Sequence, residues 1–194
     1  MQYIITPFCK APPSYVCWEN AFNLEELNWL QHQAKSAIED AVVGGANNNQ
    51  ELDKNIRRSR VSWLGHTSET NWLFEKLSYV CSHINIDSFR FDLTGFGEKL
   101  QLTNYSQSEN GMYGWHQDFG GNVSRKLSLI IQLSDASEYE GGNLQIMING
   151  EPVTVSKQRG CVIALPSYIL HQVTPVTQGS RQSLVAWVSG PAFR

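Results

Sequence analysis

Four residues in the second half of this chain have the types and spacing to hold a metal ion and a small dicarboxylate. His116, Gln117 and Asp118 are consecutive. Alternate side chains on an extended segment share one side, so His116 and Asp118 can grip a single ion. A third ligand must come from elsewhere, and His171, set between two β-rich runs, is the best candidate. Two histidines and one carboxylate on one face of an octahedron leave three positions open, as non-haem iron(II) oxygen chemistry requires. Arg181 follows His171 by ten positions, and Ser183 comes two later. If His171 and Arg181 flank a hairpin, the guanidinium can enter the cavity behind the metal. There it would bind a carboxylate through two parallel hydrogen bonds, with Ser183 adding a hydroxyl. A metal at one end and a carboxylate clamp at the other fit a chelating dicarboxylate such as 2-oxoglutarate.

Each part alone has an ordinary reading. An H-x-D triplet arises by chance in loops, a lone histidine is more often structural, and a lone arginine is more often a surface charge. Their shared order and spacing within a β-rich region favour the chemical reading. His32, His66 and His83 stand in helical or turn contexts without partners and read as structural or surface residues.

Those residues need a scaffold of short strands. From Phe89 onward β-rich runs alternate with turn residues: Phe89–Leu93, Leu100–Tyr105, Leu127–Leu133, Asn143–Ile148, Cys161–Leu165, His171–Pro175 and Gln182–Val188. Asn149-Gly150 predicts a hairpin, and Gly141-Gly142 marks another turn. Before Phe89 the pattern is largely helical. Asn23 with Glu26 reads as a capping box. Leu24, Leu27, Leu30, Ala34, Ile38 and Ala41 follow at helical spacing, up to Gly44-Gly45. The polar segment Ala46 to Leu52 reads as a mobile loop, and Arg60 to Leu64 as a strand. A second helix begins near Ser68, with Trp72, Leu73, Leu77, Val80, Cys81 and Ile84 on its buried side. The expected fold is mainly β with flanking helices: a double-stranded β-helix (jelly-roll, cupin-like) core with N-terminal helices packed on one face. One domain over residues 1–194 is expected, helical to about 88 and jelly-roll from about 89.

Composition narrows the function classes. The chain has 194 residues, 41% hydrophobic and 17% charged, with net charge −3. That length suits one domain with a substantial core. The acidic balance gives no overall attraction to nucleic acid or anionic membranes. Cys9, Cys17, Cys81 and Cys161 form no C-x-x-C pair and read as reduced thiols. The N-terminal residues have neither a basic region nor a long apolar run, so no signal peptide is expected, and a cytoplasmic location is.

The motifs resemble the prolyl 4-hydroxylase-like branch of the iron(II)/2-oxoglutarate-dependent dioxygenases, in its compact bacterial or viral form. The Y…G…Y…H-x-D stretch of those enzymes reads here Tyr105, Gly111, Tyr113, His116, Asp118. Their R-x-x-T/S strand reads Arg125-Lys126-Leu127-Ser128, their turn Gly141-Gly142, and their last strand carries Arg181 and Trp187. Gln132 replaces a tyrosine that contacts the co-substrate in some relatives, and Arg181 stands where collagen-type enzymes use lysine. The resemblance implies iron(II) on His116, Asp118 and His171, and 2-oxoglutarate on Arg181, Tyr105, Ser183 and Trp187. It implies substrate contacts from Arg57, Ser59, Glu98, Arg125, Tyr113 and Trp115. It further implies hydroxylation of a C–H bond coupled to conversion of 2-oxoglutarate to succinate, with ascorbate as reductant. The expected substrate is a peptidyl proline. A free amino acid or small metabolite is the alternative, since the triad and clamp would be the same. A nucleic-acid demethylase, loosely echoed by Asn104-Tyr105, and a non-catalytic cupin-like module fit less well.

Overall fold

The computed structural model describes residues 11–37, 39–44, 50–119 and 123–192. Two sheets face each other. The larger has nine strands. Its main path runs Val16–Trp18, Val162–Pro166, Arg125–Gln132, Val176–Ser189, Leu100–Ser106, Arg60–Leu64 and Glu39–Asp40. The short strands Gly95–Phe96 and Tyr139–Gly141 also pair with Val176–Ser189. The smaller sheet has five strands, in the order Glu151–Thr154, Leu144–Ile148, His171–Val173, Met112–His116 and Arg57–Arg58. All of these pairings are antiparallel.

The alternation of side chains along the large sheet divides it into two environments. Leu127, Leu129, Ile131, Leu184, Ala186, Val188, Leu100 and Leu102 point to one face and join the apolar cluster that includes both helices. Ile130, Ile163, Leu165 and Tyr105 point to the other and pack towards the small sheet. Central strands buried on both faces read as nearly continuous apolar runs, as in Arg125–Gln132. Period two then decides which face each side chain serves.

Helix α1 (Leu24–Lys35) opens on the expected capping box. Asn23 Oδ1 accepts from the Glu26 N–H at 2.9 Å, and Glu26 Oε2 accepts from the Asn23 N–H at 2.8 Å. Removing the cap with Asn23→Ala should destabilise the protein by about 1 kcal/mol. An unchanged urea midpoint for that variant would contradict the assigned cap. Helix α2 (Asn71–Ile84) buries Leu73, Leu77, Val80, Cys81 and Ile84 as expected, with Trp72 only partly covered.

Three expectations about elements are corrected. Helix α1 stops at Lys35 and does not reach Ala41: the Ser36 N–H caps the Gln33 and Ala34 carbonyls, and its hydroxyl bonds back to His32 O. Glu39–Asp40 then pairs with Val61 and Arg60, an ion pair between Asp40 and Arg60 at 2.8 Å reinforcing the strand. Helix α2 begins at Asn71, three residues after Ser68, because Thr70 Oγ1 is taken by the Gly65 carbonyl and the Thr67 N–H. Phe89–Leu93 is no strand. The chain turns through a π-helical segment, Asn85–Phe89, and Arg90 adopts φ +56°. Asn85 closes that turn by bonding both backbone groups of Phe91.

Of the expected loop Ala46 to Leu52, residues 46–49 lie outside the described residues; Gln50–Glu51 pairs with Val43–Gly44. The Asn149-Gly150 turn joins Leu144–Ile148 to Glu151–Thr154, with φ of +52° and +85°. Cys17, Cys81 and Cys161 are free thiols. No helix among the described residues is long and apolar enough to cross a membrane.

Candidate metal and dicarboxylate site

His116 ends the strand Met112–His116, and His171 begins the strand His171–Val173; the two residues are direct partners in the small sheet. This pairing holds the imidazole rings 4.2 Å apart. Asp118 lies two residues beyond His116, and its carboxylate turns back between the rings. Its Oδ1 is 3.9 Å from His116 Nε2, and its Oδ2 is 3.7 Å from His171 Nε2. The candidate ligand atoms of all three residues lie within 4.8 Å of one another.

Both rings are oriented from behind. His116 Nδ1 is 2.8 Å from the Gly114 carbonyl, and His171 Nδ1 is 2.9 Å from the Ile169 carbonyl. A carbonyl only accepts, so each Nδ1 carries the proton and each Nε2 presents a lone pair to Asp118 and the space beside it. Ser128 Oγ donates to Asp118 Oδ2 at 2.6 Å. Burial works against the charge on Asp118. His171, His116 and the Ser128 hydroxyl nevertheless hold its carboxyl below the usual carboxylate range. Burial, with His171 alongside, pushes His116 down to about 3. Two inward-facing imidazole nitrogens and an ionised carboxylate oxygen form a donor set suited to a divalent transition metal.

The same cavity, of about 900 Å³, contains Arg181. His171 and Arg181 do not flank a hairpin, contrary to expectation. The chain leaves the small sheet after Val173 and enters the large sheet at Val176, so the two residues face each other across the sandwich. Arg181 pairs with Tyr105 in the large sheet, and Arg181, Ser183, Val185 and Trp187 all line the cavity at period two. Arg181 is 1% exposed. Its Nη2 donates to Gln132 Oε1 at 2.8 Å and its Nη1 to Ser183 Oγ at 3.4 Å, while Nε has no partner. Tyr139 also interacts with it, and the Tyr105 ring lies 5.5 Å away. No ion pair among the described residues involves Arg181. Lys157 adds positive charge: burial and then Arg181 lower its pKa. A buried guanidinium with an orphan donor and only neutral acceptors fits the distal carboxylate of a 2-oxo dicarboxylic acid. Gly142 keeps this region open. It has φ +55°, and a Cβ there would lie 2.9 Å from Val176 Cγ2 and 3.2 Å from Arg181 Cδ.

The residues expected to contact substrate separate into two groups. Arg57, Glu98, Tyr113, Trp115 and Arg125 line the cavity. Ser59 does not border it; its hydroxyl instead supports Arg57. Glu98 and Arg125 neutralise one another through paired bonds of 2.6 and 2.7 Å, with the guanidinium 3.9 Å from the Trp187 ring. The Trp187 indole N–H is buried and favours the ionised form of Asp118. The sequence marks Ser128 and Gln132 only as motif positions, without a role at the site. Their signal was a polar residue at every fourth position on the cavity face of an otherwise apolar strand.

Comparison with known proteins agrees with this architecture. The family model of the 2OG-Fe(II) oxygenase superfamily matches residues 100–189, the segment holding His116, Asp118, His171 and Arg181. Over that segment the chain is similar to the superfamily. It is similar to a PKHD-type hydroxylase from a Synechococcus strain, 44% identical over 101 residues, which cover 50% of this chain and 45% of that protein. The matches span less than half the length of the first curated relatives. Among solved structures, a Pseudomonas putida prolyl-4-hydroxylase superposes with TM-score 0.72 at 18% identity, covering 91% of this chain and 92% of that one. A Trichoplax adhaerens prolyl hydroxylase bound to a peptide fragment of a hypoxia inducible factor gives 0.75 at 16% identity, covering 91% and 84%. At these identities the two structures establish the jelly-roll fold alone.

Proposed function

We propose that this chain is an iron(II)- and 2-oxoglutarate-dependent dioxygenase that hydroxylates a C–H bond, with a prolyl residue of a peptide as substrate. The observation that carries the reading is one cavity containing His116, Asp118 and His171 together with a buried guanidinium that has no acidic partner. Iron(II) held by the three side chains would supply oxygen activation coupled to decarboxylation of 2-oxoglutarate to succinate. The protein's part is to bind, orient and exclude water. Gly114 and Ile169 fix the imidazoles, and Ser128 fixes the carboxylate. Arg181, steadied by Gln132, Ser183 and Tyr139, holds the distal carboxylate of the co-substrate. Tyr105 walls that end, while Tyr113, Trp115 and Trp187 border the metal end of the cavity. A single domain with a helical layer on the large sheet is sufficient scaffold for these roles.

Support for a prolyl substrate comes from the two prolyl hydroxylases that share the fold. The wide, polar cavity can also supply hydrogen bonds to a peptide backbone. The test is 2-oxoglutarate turnover with iron(II) and ascorbate, comparing prolyl peptides with no added substrate. Peptide-stimulated succinate and a hydroxylated proline are expected. Stimulation by non-prolyl compounds alone would overturn the substrate assignment and leave the iron chemistry standing.

Ser128 should act through Asp118. Loss of a hydrogen bond to a ligating carboxylate lowers metal affinity by about 10–100-fold. Ser128→Ala should therefore need more iron(II) for half-maximal turnover while keeping its thermal midpoint close to native. Unchanged iron affinity would remove Ser128 from the site.

A further inference from the structure

The cavity contains a second buried arginine that the co-substrate does not use. Arg57 is 6% exposed and borders the same space as His116. Its Nε donates to Ser59 Oγ at 3.0 Å and its Nη2 to Gln101 Oε1 at 2.8 Å. Those bonds occupy two of five N–H donors, and both acceptors are neutral. No ion pair among the described residues includes Arg57. Its neighbour Arg58 faces the other way, bonding the Asn110 and Lys54 carbonyls.

The charges around the cavity can be matched one by one. Arg125 is met by Glu98. Asp118 faces the metal position, and Arg181 awaits the distal carboxylate of the co-substrate. At the rim, Asp40 is met by Arg60, and Glu39 is exposed to solvent. Arg57, unlike Arg125 and without the co-substrate that Arg181 takes, is left with no counter-charge within ion-pair distance among the described residues. A buried charge left unpaired is costly, so one retained at a cavity wall points to an anion supplied from outside. Rigid packing fixes its place. Arg57 pairs with Tyr113 across the small sheet, and its guanidinium carbon lies 4.5 Å from the Tyr113 ring centroid. That ring in turn stacks on His116 at 3.5 Å, with the planes 13° apart. The guanidinium is therefore no farther from the His116 ring than those two distances together.

We propose that Arg57 binds a carboxylate of the substrate, placed only a few bonds from the carbon that is hydroxylated. This rests on the oxygenase reading above and narrows its substrate class. The carboxylate can belong to an acidic residue beside a peptidyl proline or to a small free acid. Gln101 and Ser59 hold the fork in place, and the Tyr113 face favours the cation from behind.

The test begins without turnover. The zinc(II)-loaded chain, saturated with 2-oxoglutarate to occupy Arg181, is titrated with propanoate and separately with its neutral isostere propanamide. Side-chain 15N NMR reads the arginine Nε–H signals. Arg57→Lys identifies the Arg57 signal by removing it. Propanoate should shift that signal saturably, and at least about tenfold more tightly than propanamide. Equal responses to the two, or none to propanoate, would overturn the proposal with the native protein alone. Turnover then separates the sources of the carboxylate. Prolyl peptides with Glu beside the proline are compared with the same peptides carrying Gln, and L-proline with L-prolinamide. A preference for the acid within either pair supports the proposal and names the source. Neutral compounds that stimulate as strongly as their acids contradict it. Failure of the oxygenase reading would appear differently, as no succinate under any condition, with the propanoate titration still interpretable.

Discussion

His116→Ala, Asp118→Ala and His171→Ala should each remove bound iron and succinate formation together. The three side chains supply every candidate protein ligand atom in the cluster, so losing one leaves two to hold the ion. Water can fill a vacated coordination position, but it brings neither the preorganised geometry nor, for Asp118, the negative charge. Asp118→Ala should be the most severe. It removes the only anion of the set and leaves Ser128 Oγ without its carboxylate partner; the remaining neighbour is Ser167 Oγ at 3.1 Å. Metal content by elemental analysis and succinate by chromatography check the outcome. Native iron content together with native turnover in any of the three variants would dissolve the assignment.

Arg181→Ala should spare iron and damage co-substrate binding. The guanidinium is 1% exposed, so its bond to a carboxylate forms away from water. Removing one member of such a buried charged pair costs about 2–5 kcal/mol. At about 1.4 kcal/mol per factor of ten, the apparent KM for 2-oxoglutarate should rise by more than about tenfold. Arg181→Lys should recover part of the loss through its charge, while lacking the two-pronged geometry that Gln132 and Ser183 support. An unchanged KM in Arg181→Ala would assign the carboxylate to another residue.

The site was more legible in the sequence than the elements around it, for physical reasons. His116 and Asp118 need only an extended segment to share a side, and such a pair can be read directly from spacing. His171 and Arg181 were placed by distance along the chain, and both reach the cavity, but not through a hairpin. The short crossing at Thr174-Pro175 takes the chain from one sheet to the other, a tertiary event that local pattern cannot encode. The pattern from Leu24 to Ala41 continued past the true end of α1, because Ala37 and Ala41 are buried without being helical. Burial by tertiary packing gives the same apolar signal as a helix face. Phe89 to Leu93 alternates like a strand, but Asn85 fixes the segment through two side-chain bonds to the Phe91 backbone. Ser128 and Gln132 show the opposite case. As polar residues in a buried strand they were visible, but their roles depend on Asp118 and Arg181 lying across the fold.

The metal and co-substrate dependence of one assay on the purified chain tests the oxygenase assignment. After chelation and dialysis, the protein is supplied with iron(II), with zinc(II) or with no metal, and 2-oxoglutarate consumption and succinate release are followed in the presence of oxygen and ascorbate. Iron(II) alone should restore activity, succinate should appear in step with 2-oxoglutarate loss, and Asp118→Ala should stay inactive under every condition. No 2-oxoglutarate consumption by the iron-loaded native chain with any substrate offered, or equal activity without metal, would contradict the assignment.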